Sequence, residues 1–268
     1  GQVKTKAEPV GDGTYKITGT KIFISAGEHD MAENIVHIVL ARLPDAPKGT
    51  RGISLFIVPK FLINADGSLG ARNTVKAGAL EHKMGIRASA TCEVVFQDCA
   101  IPRQNLLGKE GMGFIIAMKT LDRSRPGVAA QAVGIAQGAL DHAVRYARTR
   151  QQFGQPISAF QGVQFMLADM ATQVEAARAL VYATARMIDA GAKDYGRESA
   201  MCKVLAADTA MRVTTDAVQI FGGYGYMKDY PVEKYMRDAK ITQIYEGTNQ
   251  IQRGVIARHV IKESASGL

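Results

Sequence analysis

The sequence predicts an α+β chain of two domains: a small antiparallel β-sandwich or barrel over residues 1–107, then an antiparallel four-helix-bundle-like domain over residues 108–268. Three observations predict it. Apolar and polar residues alternate with a period of two in the first hundred residues, a Pro/Asn/Gly-rich connector follows at Pro102–Gly113, and three- and four-residue apolar spacing fills the remainder.

The turn signal Gly11-Asp12-Gly13 opens the β region, and Tyr15, Ile17, Ile22 and Ile24 then alternate with polar neighbours as in a half-buried strand. Ile35–Ala41 is rich in β-branched residues, Pro44–Gly49 is a turn cluster, and Ile53–Val58 and Cys92–Phe96 are short apolar runs of strand character. Phe61–Leu80 has weak periodicity and is expected to be a long excursion between strands. Past the connector, Phe114–Leu121 forms one apolar helical stretch and Val128–Ala147 a second, with Pro126 in the first turn of the second helix. A helix of about nine turns is expected over Ser158–Ala190, at ~3.6 residues per turn. Another is expected over Glu198–Phe221, and a last one from near Thr248 to near Glu263. Long amphipathic helices with short connections indicate an antiparallel bundle.

Composition narrows the function classes. At 268 residues and 47% hydrophobic the chain can bury a large core. Its longest apolar runs fall far short of the ~20 residues of a membrane span. Three cysteines without CxxC spacing argue against a disulfide framework, and five scattered histidines lack ligand spacing, so no metal site is expected. The net charge of +8 is dispersed, with no basic run interleaved with aromatics, so no nucleic-acid partner is expected. The chain opens on Gly1, and its first residues lack the pattern of a signal peptide; it is read as a fragment or a processed chain.

The segment Arg237–Arg258, RDAKITQIYEGTNQIQRGVIAR, holds Glu246 between Tyr245 and the flexible Gly247. A carboxylate on such a turn can face a cavity as a general base; spacing alone favours the plainer role of capping a helix beside Thr248. Arg150–Gln161 combines a guanidinium, Phe153, Gly154 and an amide, a set suited to a phosphate-plus-adenine ligand or to a solvated helix end with one buried Phe. The glycines of FGGYGY allow close backbone approach to a ligand, and equally mark an ordinary turn.

Five landmarks occur in order: TGTKIFIS at Thr18–Ser25, HKMGIRASATCEVVF at His82–Phe96, RTRQQFGQPISAFQ at Arg148–Gln161, QIFGGYGYMKDYPVEKYMRDAK at Gln219–Lys240, and IYEGTNQIQR at Ile244–Arg253. Through them the chain resembles the middle β-domain and C-terminal helical domain of the acyl-CoA dehydrogenase family over nearly its whole length. The family's N-terminal helical domain has no counterpart in the sequence, so one wall of the acyl pocket is expected to be missing: the chain is a fragment, a partner chain supplies the wall, or the protein no longer turns over. The strand half resembles large bacterial dehydrogenases of the methylthiopropanoyl-CoA type, the helical half short- and medium-chain members.

The resemblance implies FAD as cofactor. Phe23 matches an aromatic beside the flavin ring, Ile24 and Ser25 match contacts near its N5 and O4, and Thr248 and Gln250 match contacts to the FAD of their own subunit. Arg150, Phe153 and Gln161, with Gln219, Gly222 and Gly223, match residues that reach the neighbouring subunit's FAD, which implies a homodimer or homotetramer. Asp122, Arg125 and Arg258 match positions lining the CoA passage, and Arg125 is the residue expected to take the CoA chain or its phosphates. Tyr245 and Gly247 join them as substrate-binding residues.

The implied reaction is dehydrogenation of an acyl-CoA thioester to the trans-2-enoyl-CoA, with Glu246 as catalytic base. Some relatives carry the base on the earlier helix, where this chain has Ser124 and no Glu. An electron-transferring flavoprotein is the implied acceptor, in the cytoplasm of a bacterium or the mitochondrial matrix of a eukaryote. Other readings are a fragment or non-catalytic FAD- and CoA-binding subunit, an acyl-CoA oxidase-type flavoenzyme, and a DNA-associated member; relatives of nitroalkane oxidase use Asp at the catalytic position.

Overall fold

The computed structural model describes residues 2–265 and divides into two compact units. The first runs to Lys83 and resumes over Arg87–Thr120; the second comprises Met84–Ile86 and the chain from Leu121 onward.

The first unit is antiparallel β. Strands β1 (Lys6–Val10), β2 (Thr14–Ser25), β3 (Val36–Ala41), β4 (Ser54–Pro59), β5 (Phe61–Ile63), β6 (Leu69–Arg72), β7 (Val75–Leu80) and β8 (Thr91–Pro102) form a four-stranded sheet in the order β1-β2-β8-β7 and the pairs β3-β4 and β5-β6. Alternation on β2 turns Tyr15 and Ile17 into a core with Val39, Phe56, Val58, Val94, Phe96 and Ile101. Tyr15 meets Phe56 edge-on at 5.2 Å between ring centroids.

The excursion expected over Phe61–Leu80 is instead three strands, one of them paired with β8 in the main sheet. On β7 only Val75 is buried, so a strand at the sheet's edge carries no alternating pattern for sequence reasoning to find. β1 likewise precedes the point where the alternation was expected to begin.

The second unit is helical. Its boundary with the first falls within α1 (Gly113–Thr149), which leads through the hairpin β9 (Gln151–Gln152) and β10 (Gln155–Pro156) to α2 (Gln161–Asp189) and α3 (Gly196–Phe221). The short α4 (Gly223–Tyr226), α5 (Val232–Ala239) and α6 (Asn249–Ala265) complete it. α3 packs against α2, α5 and α6. The core is rich in alanine, including Ala129, Ala132, Ala136, Ala177, Ala206 and Ala210, and small side chains let helix backbones approach closely. No helix among the described residues is long and apolar enough to cross a membrane.

Two helices were expected across Phe114–Ala147, with Pro126 starting the second; the structure has a single helix with Pro126 inside it. An internal proline orphans the carbonyl four residues earlier, here that of Asp122. Ser199 on α3 supplies the missing donor, its Oγ donating to the Asp122 oxygen at 2.5 Å. The helix continues because another helix completes its hydrogen bonding.

Candidate active site

Glu246 lies on the connection between α5 and α6, after a 3-10 turn over Lys240–Gln243, with φ at 52°. Its carboxylate does not cap α6. Thr248 does that, its Oγ1 accepting from Ile251 N at 3.3 Å, while Glu246 Oε2 accepts from Ser124 Oγ of α1 at 2.6 Å. Gly247 follows at φ 92°, which glycine adopts without strain, and a Cβ there would stand 2.3 Å from Gln252 Nε2, which would have to shift.

The turn's carbonyl oxygens are held from below. Arg125 Nε donates to Glu246 O at 3.2 Å, and Lys203 Nζ donates to Gly247 O and to Asn249 Oδ1, each at 2.9 Å. The amide N–H of Glu246 has no acceptor among the described residues. Tyr245 is half-buried and donates its hydroxyl to Gln131; burial raises its pKa, opposed by that hydrogen bond and reinforced by Glu246.

Arg125 is only 4% exposed, and its guanidinium is engaged by Glu246 O and by the carboxylate of Asp122. Arg125 was expected to take the CoA chain or its phosphates; here its guanidinium lies under the turn, held by these two partners. Asp122 is correspondingly occupied by Arg125, whereas Arg258 is exposed on α6 and Gln250 on its first turn.

Residues of the second sequence-expected group converge elsewhere in the same unit. Arg150, Gly222 and Gly223 line a cavity of about 570 Å³ with Tyr146, Phe221 and Tyr224. The Arg150 guanidinium lies 5.4 Å from the Tyr224 ring centroid, and Tyr146 stacks on Phe221 at 4.0 Å. Gly222, at φ 61°, and Gly223 have nothing within 4 Å of where a Cβ would stand. Phe153 stands 91% exposed at φ 51° on the β9–β10 hairpin, against Phe160 at 6.0 Å; Gln161 and Gln219 are exposed outside the cavity lining.

In the first unit, Phe23 is 69% exposed at φ 57°, at an irregularity in the β2–β8 register. Ile24 and Ser25 line a cavity of about 660 Å³ in that unit. Sequence reasoning missed Lys203, Asn249 and Gln252, buried polar residues around the Glu246 turn. For Lys203 the signal was available: a lysine on the apolar face that carries Cys202, Ala206 and Ala210.

An antiparallel β unit followed by an alanine-rich helical bundle, with a carboxylate on a turn between two helices, is the architecture of one large class of α+β proteins. The chain belongs to the acyl-CoA dehydrogenase family: residues 1–99 match its middle domain and residues 111–261 its C-terminal domain. The family's members are FAD-dependent flavoproteins.

The acryloyl-CoA reductase (NADH) of Anaerotignum propionicum is 51% identical over 248 residues, 92% of this chain and 59% of that protein. The butyryl-CoA dehydrogenase structure from Megasphaera elsdenii superposes with a TM-score of 0.86 at 49% identity, covering 96% of this chain and 63% of that one. A chain in the structure described as the electron transferring flavoprotein of Acidaminococcus fermentans superposes with a TM-score of 0.87 at 52% identity, over 97% of this chain and 64% of that chain. The chain thus spans about three-fifths of the length of its curated relatives.

Proposed function

We propose that this protein oxidises an acyl-CoA thioester to the trans-2-enoyl-CoA, with Glu246 removing an α-proton. The observation that carries the reading is the Glu246 turn. Its carboxylate is turned away from the helix it precedes, accepts one hydrogen bond from Ser124, and is followed by a glycine at a positive φ that other residues adopt only with strain. A base must be both positioned and free to approach its substrate. The unpaired N–H of Glu246 is available for the thioester oxygen, which would acidify the α-carbon. Bound FAD supplies the acceptor for the β-hydrogen as hydride.

The residues present fit such a cofactor. Arg150 offers a donor fork for phosphate, Tyr146 and Tyr224 offer aromatic faces, and the side-chain-free edge at Gly222 and Gly223 lets a ligand approach the backbone. We assign this cavity to a nucleotide portion of FAD held by a neighbouring subunit, and Thr248 and Gln250 at the start of α6 to the chain's own FAD. Phe153, exposed on its hairpin, would join the neighbour's site with Gln161 and Gln219, and Phe23, Ile24 and Ser25 would hold the flavin ring. Arg258 is left to the CoA passage, while Asp122 and Arg125 support the base.

An electron-transferring flavoprotein is the proposed electron acceptor, in keeping with the Acidaminococcus fermentans structure. The likeness to an NADH-dependent acryloyl-CoA reductase supports a second reading, in which the same site runs toward reduction of an enoyl-CoA. We place the protein in the cytoplasm of a bacterium or the matrix of a mitochondrion.

Glu246→Gln tests the base. The variant should keep its yellow colour and bind acyl-CoA, while flavin reduction slows by about three orders of magnitude. Residual reduction within tenfold of wild type, read by bleaching of the flavin absorbance, would sink the assignment.

A further inference from the structure

Lys203 has no part in the reaction as written, yet it is fully buried, and dehydrating an ammonium costs a fold dearly unless something offsets it. Nearby positions on the same side of α3 hold Cys202, Ala206, Ala207 and Ala210. A methionine would fill the space without burying a charge. Among the described residues Lys203 makes no ion pair, and its two acceptors, Gly247 O and Asn249 Oδ1, are neutral.

Those acceptors flank Thr248, at the junction between the Glu246 turn and α6. Arg125 holds the preceding carbonyl, that of Glu246, so two consecutive carbonyls are each drawn to a buried cation. The residues that carry them sit at φ 52° and 92°, and the left-handed region is unfavourable for glutamate, persisting only where the surroundings impose it. The orientation of Lys203 is itself fixed. Asn249 Nδ2 donates to Asp208 Oδ1 at 2.8 Å, which turns the amide oxygen toward the ammonium, and Gln243 and Arg253 hold Asp208 in turn. The charged groups around Lys203 are Arg125 from α1, Asp208 from its own helix and Glu246 from the turn; α6 contributes the neutral Asn249.

We propose that Lys203 is the positioning residue of the Glu246 turn: its ammonium, through the Gly247 carbonyl, imposes the left-handed backbone that directs the Glu246 carboxylate to Ser124. Its consequence for the reaction rests on Glu246 being the base; its consequence for the backbone does not.

The experiment compares wild-type holoprotein with Lys203→Met by hydrogen exchange over residues 244–252 and by rapid-mixing reduction with acyl-CoA. Exchange over that segment should quicken about tenfold, with α2 unchanged and the melting temperature equal or higher. Flavin reduction should slow about a hundredfold while acyl-CoA affinity stays within about threefold, a split that general loss of structure would not give. If Lys203→Met does not accumulate folded, Lys203→Gln is read in the same way. Exchange over the segment within about twofold of wild type overturns the inference. If no acyl-CoA reduces even the wild type, the assignment of the base fails, and the exchange measurement still decides the role of Lys203.

Discussion

Two glycine-bearing turns in the helical unit look alike in sequence and differ in what surrounds them. At Gly247 the space a side chain would enter is filled by the protein, with Gln252 Nε2 2.3 Å from the position of a Cβ. At Gly222 and Gly223 that space is open and borders a cavity lined by Arg150 and tyrosines. The first glycine serves the fold and, through it, the geometry of Glu246. Gly222 takes the positive φ that ends α3, while Gly223 meets no packing need, and its open edge is the one proposed above for a ligand.

Substitutions sharpen that contrast. Gly247→Ala adds a contact that cannot be relieved without moving Gln252, at a φ of 92° that alanine resists; the loss of stability should be on the order of 3–5 kcal/mol, measured by chemical denaturation. A loss below 1 kcal/mol would mean the turn is looser than its hydrogen bonds indicate.

The cation beneath the same turn gives a smaller effect with a definite sign. Burial, with Arg125 nearby, lowers the pKa of Lys203 from 10.5 to about 8. Between those values the unfolded chain binds a proton that the folded protein does not, so folding stability rises with pH across that window. Below pH 8 both states carry the proton, and the penalty is constant. Wild type measured against Lys203→Met should therefore gain on the order of 2–3 kcal/mol between pH 8 and 10.5. A flat difference across that range would show that the ammonium is not dehydrated.

Gly223→Ala should have the least effect on folding, within about 0.5 kcal/mol, because the new methyl meets nothing. FAD retention should nevertheless fall about tenfold, read by dialysis against flavin absorbance. Unchanged retention would remove the cavity from the cofactor site.

The fold class was legible because alternation on β2 and helical spacing across the second unit mark the most regular elements. What escaped had specific causes. β7 buries only Val75, so no pattern marked it, and Pro126 suggested a helix start because the donor that rescues Asp122 lies far along the chain on Ser199. Glu246 stood out in the sequence, but setting aside the role of helix cap needed the partners of its carboxylate and of Thr248. Arg125 was read as open to the CoA chain or its phosphates because its sequence neighbours, Ser124 and Pro126, reveal neither its burial nor the carbonyl it holds.

The hydroxyl that Ser199 lends to α1 also acts as a bolt. One rung of the hydrogen-bond ladder of α1 belongs to α3, so sliding either helix past the other by a turn would leave the Asp122 carbonyl without a donor. The register so locked brings Ser124 and Arg125 from one helix and Lys203 from the other to a single turn. A proline that should have broken a helix thereby fixes where two helices meet.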